Sequence, residues 1–199
     1  MKSKVRLFAV WGVILLLSKW FFNELYNLFT PFLVIVPLLA LLVSFFVFGI
    51  MAVLFAVKNK MGRLKAFTPL FIFVFVAFLY VFVPFDFAKI KLEHIMYADK
   101  RERIVADIQS NALSCNGFGN VRLPFGYRSI SVDGEAKIIE NSGRGIVVGF
   151  WVFRGLHMNP YQMVVYTSYG EPLSEETLGI IRLYEHRKLG ENWYYIRAY

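Results

Sequence analysis

The stretch that decides the architecture is Phe32–Val57, FLVIVPLLALLVSFFVFGIMAVLFAV, which contains no charged residue. Its length exceeds the roughly 20 apolar residues that an α-helix needs to cross a bilayer. Pro37 lies near its beginning, where a missing amide donor is best tolerated in a helix. The stretch therefore predicts a transmembrane helix.

Two further apolar runs, residues 7–22 and 67–83, flank this helix. The first follows a basic start, as in a signal peptide, but no small-x-small cleavage site comes after it, which favours an uncleaved signal anchor. The second is rich in Phe and Val and is close to the lower length limit for a span. The sequence thus predicts three transmembrane helices in residues 1–87.

Charge is unevenly distributed along the chain. Residues 1–87 hold eight Lys or Arg and two acids, whereas residues 88–199 hold the other fourteen bases and twelve acids. The excess positive charge therefore flanks hydrophobic runs and does not form a patch on a folded domain, as nucleic-acid binding would require. We expect a lipid bilayer and a membrane or envelope protein as partners, and no nucleic acid.

The basic residues of the first part also predict its orientation. They cluster before the first run and between the second and third, and short segments rich in Lys and Arg stay in the cytoplasm. With three crossings, residues 88–199 then lie outside the cytoplasm as a separate domain. We expect the protein in the plasma membrane, and its single cysteine, Cys115, favours a bacterial surface. The topology determinants are Lys2, Lys4, Arg6, Lys58, Lys60, Arg63 and Lys65.

The pattern after residue 88 predicts an α+β domain. Apolar residues recur at helical spacing over residues 92–113, with Asp99–Arg103 as a charged face. Alternating segments follow, and Asp133-Gly134 is a signal for a two-residue hairpin. We expect one helix and an antiparallel sheet of about five or six strands curled over it. The predicted strands are residues 127–132, 135–140, 146–153, 161–168, 178–186 and 193–198.

Groups that could carry chemistry are few. Cys115 has no local signature of a nucleophile, and the three histidines, His94, His157 and His186, lack the spacing of a zinc site. The glycine pairs at 117–119 and 143–145 do not complete a phosphate-binding motif, and the acids at 171, 175 and 176 fit a solvated loop. We therefore expect no catalytic residue, no cofactor and no metal.

Aromatic residues are the more suggestive feature of the domain. Neighbours on a strand point to opposite faces, so Trp193 and Tyr195 share one face and Tyr194 takes the other. One set fills the core, and the other forms either an ordinary Tyr-rich surface or a binding face. The candidate binding surface comprises Trp151, Tyr166, Tyr184, Trp193 and Tyr195.

These observations favour a non-enzymatic, membrane-anchored binding module that acts as a sensor, an accessory or regulatory subunit, or a protective protein of the immunity type. Two alternatives remain. One is an envelope enzyme whose site combines Cys115 or a histidine with loop acids. The other is a subunit of an oligomeric channel or transporter, for which the apolar runs offer few polar side chains.

Overall fold

A computed structural model describes residues 2–29, 31–58, 67–116, 119–143, 145–154, 161–170, 175–178 and 182–198. The chain divides into two compact units, Met1–Phe87 and Ala88–Tyr199. Of the residues singled out above, Lys60, Arg63, Lys65, Gly117, His157 and Glu171 lie outside the described ranges.

The first unit is helical. Its helices are α1 (Lys2–Trp20), α2 (Phe22–Leu28), α3 (Pro31–Lys58) and α4 (Thr68–Phe82), followed by the start of α5 (Phe85–Gln109). Within the described residues, one segment is long and apolar enough to cross a membrane, Leu33–Leu54 on α3, with a mean hydropathy of 2.9. A second candidate arises only when α4 and α5, which are broken at Val83–Pro84, are counted together.

The structure thus supports one or two candidate spans where the sequence predicts three. Helix α1 carries basic residues at both ends, Lys2, Lys4 and Arg6 at one and Lys19 at the other. Helix α4 has only 15 residues, which at 1.5 Å each is about 22 Å and shorter than the hydrocarbon core of a bilayer. Candidate spans of this number and position are weak support for membrane association.

Close packing joins α3 and α4. The rings of Phe45 and Phe73 stack with centroids 4.7 Å apart, next to the buried Val76. A Cβ atom placed on Gly49 would lie 2.5 Å from ring atoms of Phe73. Gly49 is therefore the residue that lets this ring approach the helix backbone.

Lys19, at the end of α1, contacts the end of α4. Its ammonium group donates to the carbonyl oxygen of Tyr80 and lies 3.5 Å from that of Val83. The same group lies 4.7 Å from the centre of the Tyr80 ring. Because the last carbonyls of a helix have no partner within it, Lys19 caps α4 from a neighbouring helix.

Helix α5 begins earlier and ends earlier than the predicted 92–113. It starts directly after Pro84, which cannot continue α4, and it ends at Gln109. Asn111 follows with a φ of 56°, the left-handed conformation that commonly ends helices. The side of α5 that is buried carries Ile90, His94, Arg101, Ile104, Val105 and Ile108.

The second unit contains a six-stranded antiparallel sheet, within the predicted number of strands. The strands are β1 (Asn120–Arg122), β2 (Glu135–Ser142), β3 (Gly145–Phe153), β4 (Tyr161–Thr167), β5 (Leu183–Lys188) and β6 (Trp193–Ala198), and their order is β1-β2-β3-β4-β6-β5. The sheet is not curled, contrary to the prediction. It is an open sheet whose edge strands are the three-residue β1 and the six-residue β5. β3 is central and buried on both faces, as predicted.

The predicted strand 127–132 is wrong. Phe125–Ile130 and Val132–Gly134 form short 3₁₀ helices in the connection from β1 to β2. Asp133 and Gly134 do have the positive φ values of a tight hairpin turn, 61° and 65°. The amide of Leu123 nevertheless bonds to the carbonyl of Gly134, which closes a connection much longer than two residues.

The last predicted hairpin is confirmed in β5 and β6, but its first strand is shorter than residues 178–186. Glu175–Leu178 is instead a helical turn, α6, and β5 starts at Leu183. The carboxylate of Glu175 accepts a hydrogen bond from the amide of Leu183, which fixes α6 to the beginning of the strand.

The two faces of the sheet have different neighbours. On one face, Phe150, Tyr166 and Trp193 lie beneath side chains of α5, with His94 against Trp193 and Arg101 over Phe150. On the other face, Tyr194 and Ile196 pack with Leu178 of α6. The predicted opposition of Trp193 and Tyr194 is thus confirmed.

Candidate functional site

A cleft of about 390 Å³ lies in the second unit between α5, strands β4 and β6, and the turn before β6. It is open to solvent on one side, and polar and apolar groups line it in similar measure. The lining residues are His94, Glu102, Val105, Ala106, Gln109, Tyr166, Gly190, Glu191, Asn192 and Trp193.

The secondary structure explains why these residues converge. On α5, Glu102, Ala106 and Gln109 follow each other at spacings of four and three residues, so they share one face of the helix. Across the sheet, Tyr166 of β4 pairs directly with Trp193 of β6, and their rings meet edge to face with centroids 5.2 Å apart. One wall of the cleft is therefore helical and the other is aromatic.

The turn before β6 closes the end of the cleft. The amides of Leu189 and Gly190 both donate to the carbonyl oxygen of Trp193, at 2.8 and 3.2 Å. The amide of Thr167 donates to the carbonyl oxygen of Asn192 at 2.9 Å, which ties the turn to the end of β4. A Cβ atom on Gly190 would make ordinary contacts, 3.6 Å from Nε2 of His94 and 3.7 Å from Trp193.

His94 is the buried titratable group of the cleft. Only 6% of its surface is exposed, and its Nδ1 has no hydrogen-bond partner among the described residues. Burial, and then the nearby positive charge of Arg101, lower the pKa of His94 to about 4. The imidazole is therefore neutral at physiological pH and adds no charge to the cleft.

Arg101 is a buried cation next to the cleft, although it is not one of the lining residues. Its side chain is 2% exposed, and its Nη2 donates to the carbonyl oxygen of Ile130 at 3.2 Å. The guanidinium lies 5.8 Å from the centre of the Phe150 ring and 6.0 Å from that of Tyr97. Burial lowers the pKa of Arg101 to about 10, opposed by Glu93 and Tyr97, so the group stays charged at neutral pH.

The rim of the cleft is acidic. Glu102 on α5 and Glu191 in the turn are both exposed, and neither carboxylate pairs with another residue in the described part of the chain. Among the described residues that line the cleft there is no lysine or arginine. The arrangement therefore offers two carboxylates, two side-chain amides and an aromatic wall to a molecule in the cleft.

The residues of the predicted binding surface do not form one face. Trp193 and Tyr166 line the cleft together, and Tyr195 is buried two residues after Trp193. Trp151 is half-buried on the opposite face of the sheet, against Tyr161. Tyr184 is exposed on the edge strand β5.

Two cleft features were not predicted from the sequence. The sequence pattern assigns no burial to His94 and places Arg101 on a charged face, yet both are buried. Their spacing with Val105 and Ile108, at intervals of seven, four and three residues, is that of one helical face and could have indicated their burial. Nothing in the sequence pairs α5 with Glu191 and Asn192, which lie in a turn far along the chain.

The other groups considered for chemistry are dispersed. Cys115 is exposed, and His186 stacks on Tyr194 with ring centroids 5.0 Å apart. Within the described residues, no group of three or more His, Cys, Asp or Glu side chains is placed to hold a metal ion. The exposed Arg6 and Lys58 lie at the beginning of α1 and at the end of α3.

A second cavity, of about 500 Å³, lies in the first unit between α1, α2 and α3. Its lining is apolar, with Ile14, Phe22, Val34 and Leu38 among the contributing residues. Its polar side chain, Ser18, donates a hydrogen bond to the carbonyl oxygen of Leu15 within α1. The cavity is therefore suited to an apolar group.

No protein-family model, no curated protein and no solved structure matches this chain.

Proposed function

We propose that this protein is a multi-pass protein of a bacterial cytoplasmic membrane, whose second unit lies outside the cytoplasm and binds a ligand or partner without transforming it. The observation that carries the binding role is the cleft of the second unit, where helix, sheet and turn bring polar and aromatic side chains together around an open volume. Clefts of this size with convergent polar groups are the usual form of ligand sites.

Exposed apolar side chains support the membrane part of the proposal. On α4, four phenylalanines follow each other at spacings of four, three and four residues and are 54–69% exposed: Phe71, Phe75, Phe78 and Phe82. A stripe of this kind on a water-soluble surface would be unfavourable by roughly 25 cal/mol for each Å². Lipid, or a neighbouring membrane helix, is the surrounding in which the stripe is stable.

The chemistry of the cleft supports binding over catalysis. His94 is the natural acid–base group there, but its pKa is lowered to about 4 and its Nδ1 lacks a carboxylate partner in the described structure. A general base for neutral pH needs a pKa near 7 and a residue that orients it. His94 is instead suited to act as a neutral hydrogen-bonding group in the wall of the cleft.

This arrangement suits a sensor, an accessory or regulatory subunit of a membrane complex, or a protective protein. In each of them the helices of the first unit do more than tether the domain, because one span would be sufficient for that. The apolar cavity between α1, α2 and α3 offers a place for a lipid chain or a partner side chain.

The chain's single, exposed Cys115 provides a test of topology. In intact cells, a membrane-impermeant maleimide should label wild-type protein but not Cys115→Ser. The matched control is Lys58→Cys in the Cys115→Ser background, since Lys58 is also exposed and is assigned to the cytoplasmic side. It should react only after permeabilisation. Labelling of Lys58→Cys but not of Cys115 in intact cells would invert the proposed topology.

Gly190 provides a test of the site. A leucine there fits the backbone and extends from a Cβ that has ordinary contacts beside His94 and Trp193, so Gly190→Leu should fill the cleft. Gly126→Leu is the matched control, because a Cβ at Gly126 meets no atom within 4 Å.

Both variants are compared with wild type after treatment of intact cells with an impermeant lysine-reactive cross-linker, for which Lys100, Lys137 and Lys188 are targets. We expect a specific adduct that Gly126→Leu keeps and Gly190→Leu loses. An adduct that Gly190→Leu retains would move the binding site away from the cleft. Turnover of a candidate substrate that depends on Cys115 or His94 would instead support an envelope enzyme.

A further inference from the structure

We infer that the cleft between α5 and β6 binds a small organic cation, held between the aromatic wall of Tyr166 and Trp193 and the carboxylates of Glu102 and Glu191. This inference rests on the proposed binding function and specifies the chemical class of the ligand. Four features of the cleft lead to it.

The first feature is uncompensated negative charge. Glu102 comes from α5 and Glu191 from the turn before β6, so two elements far apart in sequence bring carboxylates to the same opening. Neither carboxylate has a basic partner in the described structure, and no lysine or arginine lines the cleft. Two unpaired carboxylates that share one opening attract a positive charge.

The second feature is the behaviour of the two positive groups that could neutralise this charge. His94 stays neutral above a pH of about 5 because its pKa is about 4. Arg101 is buried and does not line the cleft. Its Nη2 donates to the carbonyl oxygen of Ile130 and its guanidinium lies over the Phe150 ring, whereas its Nε and Nη1 have no partner among the described residues. Neither group places a cation in the opening.

The third feature is the aromatic wall. Tyr166 and Trp193 meet edge to face; Tyr166 is partly exposed in the cleft, and Trp193 is 5% exposed at its base. The faces of such rings attract ammonium and guanidinium groups and also accept the apolar carbons that surround them. This combination suits an organic cation better than an inorganic one.

The fourth feature is the set of polar groups, which favours an organic cation over a metal ion. The carboxylates stand at the rim, and the described residues contain no group of three His, Cys, Asp or Glu side chains that could hold a metal ion. A divalent ion prefers a compact set of oxygen ligands, which the cleft does not supply. A cation that carries its own apolar surface fits the volume of about 390 Å³.

The test uses the full-length chain in lipid nanodiscs at neutral pH, with choline as the probe. Its neutral isostere 3,3-dimethylbutan-1-ol has the same shape without the charge. The readout is the indole N–H signal of Trp193 in a spectrum of protein labelled at its four tryptophans, Trp11, Trp20, Trp151 and Trp193. Only the Trp193 signal should move when choline is added.

We expect choline to bind about tenfold more tightly than the isostere, the ratio that corresponds to one favourable charge interaction. Glu102→Gln and Glu191→Gln should each weaken choline binding several-fold, and Gly190→Leu should abolish it. Asp99→Asn is the matched control, because it removes a charge from an exposed position of the same helix outside the cleft.

Equal binding of choline and the isostere, both lost in Gly190→Leu, would overturn the requirement for a cation while the cleft remained the binding site. Choline binding that survives both glutamate substitutions would overturn the assigned carboxylates. If neither compound moves the Trp193 signal, the inference about a cation is wrong, and the cross-linking comparison of Gly190→Leu with Gly126→Leu decides separately whether the cleft binds anything.

Discussion

The imidazole ring of His94 lies against the indole ring of Trp193, with centroids 5.2 Å apart and planes inclined by 54°. This contact joins the middle of α5 to the beginning of β6, and Trp193 in turn contacts Phe150 and Tyr166. A histidine in such a position is an aromatic packing residue whose protonation is opposed by its surroundings. Several measurable properties depend on it.

Stability should fall as the solution becomes acidic. The pKa of His94 is about 4 in the folded protein and near its ordinary value of 6.5 when unfolded. Between these values the unfolded chain takes up a proton that the folded chain does not, so the free energy of unfolding decreases as pH falls from about 6.5 to 4. We expect a decrease of roughly 1–3 kcal/mol from this residue alone.

The measurement is chemical unfolding of the full chain in detergent across this pH range, with His94→Phe as the comparison. Phenylalanine keeps a ring against Trp193 but cannot be protonated, so its pH dependence should be flatter. Other groups near His94 that carry charge are Arg101, Glu102 and Glu191, and all three are present in both proteins. Identical pH dependences would show that His94 does not titrate as described.

Replacing Arg101 should make His94 easier to protonate. The positive charge of Arg101 is the second cause, after burial, of the low pKa of His94. In Arg101→Met that charge is absent and burial remains, so the pKa of His94 should rise but stay below its ordinary value. Histidine NMR signals followed against pH give the value, and His94→Phe assigns the signal among the chain's three histidines.

The same substitution has two opposed effects on stability. It leaves the carbonyl oxygen of Ile130 without its donor, which costs about 1–3 kcal/mol, and it removes the unfavourable burial of a guanidinium. An unchanged or lower pKa of His94 in a folded Arg101→Met would contradict the electrostatic coupling.

Removing the ammonium group of Lys19 should destabilise the first unit. In Lys19→Met the carbonyl oxygen of Tyr80 loses the donor that caps the end of α4, and that of Val83 keeps only the amide of Phe85. We expect a loss of about 1–2 kcal/mol in thermal or denaturant unfolding in detergent. Lys19→Arg retains a cationic donor and should lose less.

Lys58→Met is the matched control for this prediction, since Lys58 is an exposed lysine in the last turn of α3. Its removal should change stability by no more than a few tenths of a kcal/mol. If Lys19→Met and Lys58→Met had equal effects, the cap on α4 would have no specific contribution.

A methyl group at Gly49 should disturb the packing of α3 against α4. Alanine favours a helix over glycine by about 1 kcal/mol, but its Cβ would lie 2.5 Å from the Phe73 ring. We expect Gly49→Ala to be less stable than wild type by about 1–2 kcal/mol, because overpacking exceeds the gain in helix propensity.

Phe73→Leu should recover at least half of this loss in the double variant, since it removes the ring that the new methyl group meets. Phe75→Leu is the control, because Phe75 is 61% exposed on the same helix and should not rescue Gly49→Ala. Additive effects of Gly49→Ala and Phe73→Leu would show that the two residues are not coupled.

Much of the secondary structure could be predicted because it depends on local patterns. The charge-free run from Phe32 to Val57 lies in α3, and the continuous apolar segment from Ile146 to Phe153 forms most of the central strand β3. The alternation at Trp193 and Tyr194 correctly assigned these residues to opposite faces of the sheet. Each of these predictions needed only the period of the apolar residues.

The segment at Tyr127 shows where local patterns fail. Its residues alternate as in a strand. However, β1 and β2, which come before and after it in the chain, pair with each other, so the segment has to form the connection between them. The amide of Leu123 then bonds to Gly134, and short 3₁₀ helices fill the space between. A pairing between distant residues decided the conformation here, and the alternation within the segment did not.

The sequence by itself determined the division into an apolar helical part and an α+β part, because hydropathy and periodicity act through nearby residues. Only the tertiary structure decided that His94 and Arg101 are buried and that Glu102 and Glu191 line the same cleft. A polar side chain on a helix is exposed or buried according to what packs against that face. The packing partners of α5 are the strands of a sheet and a turn that come many residues later, so their identity depends on the fold of the whole domain.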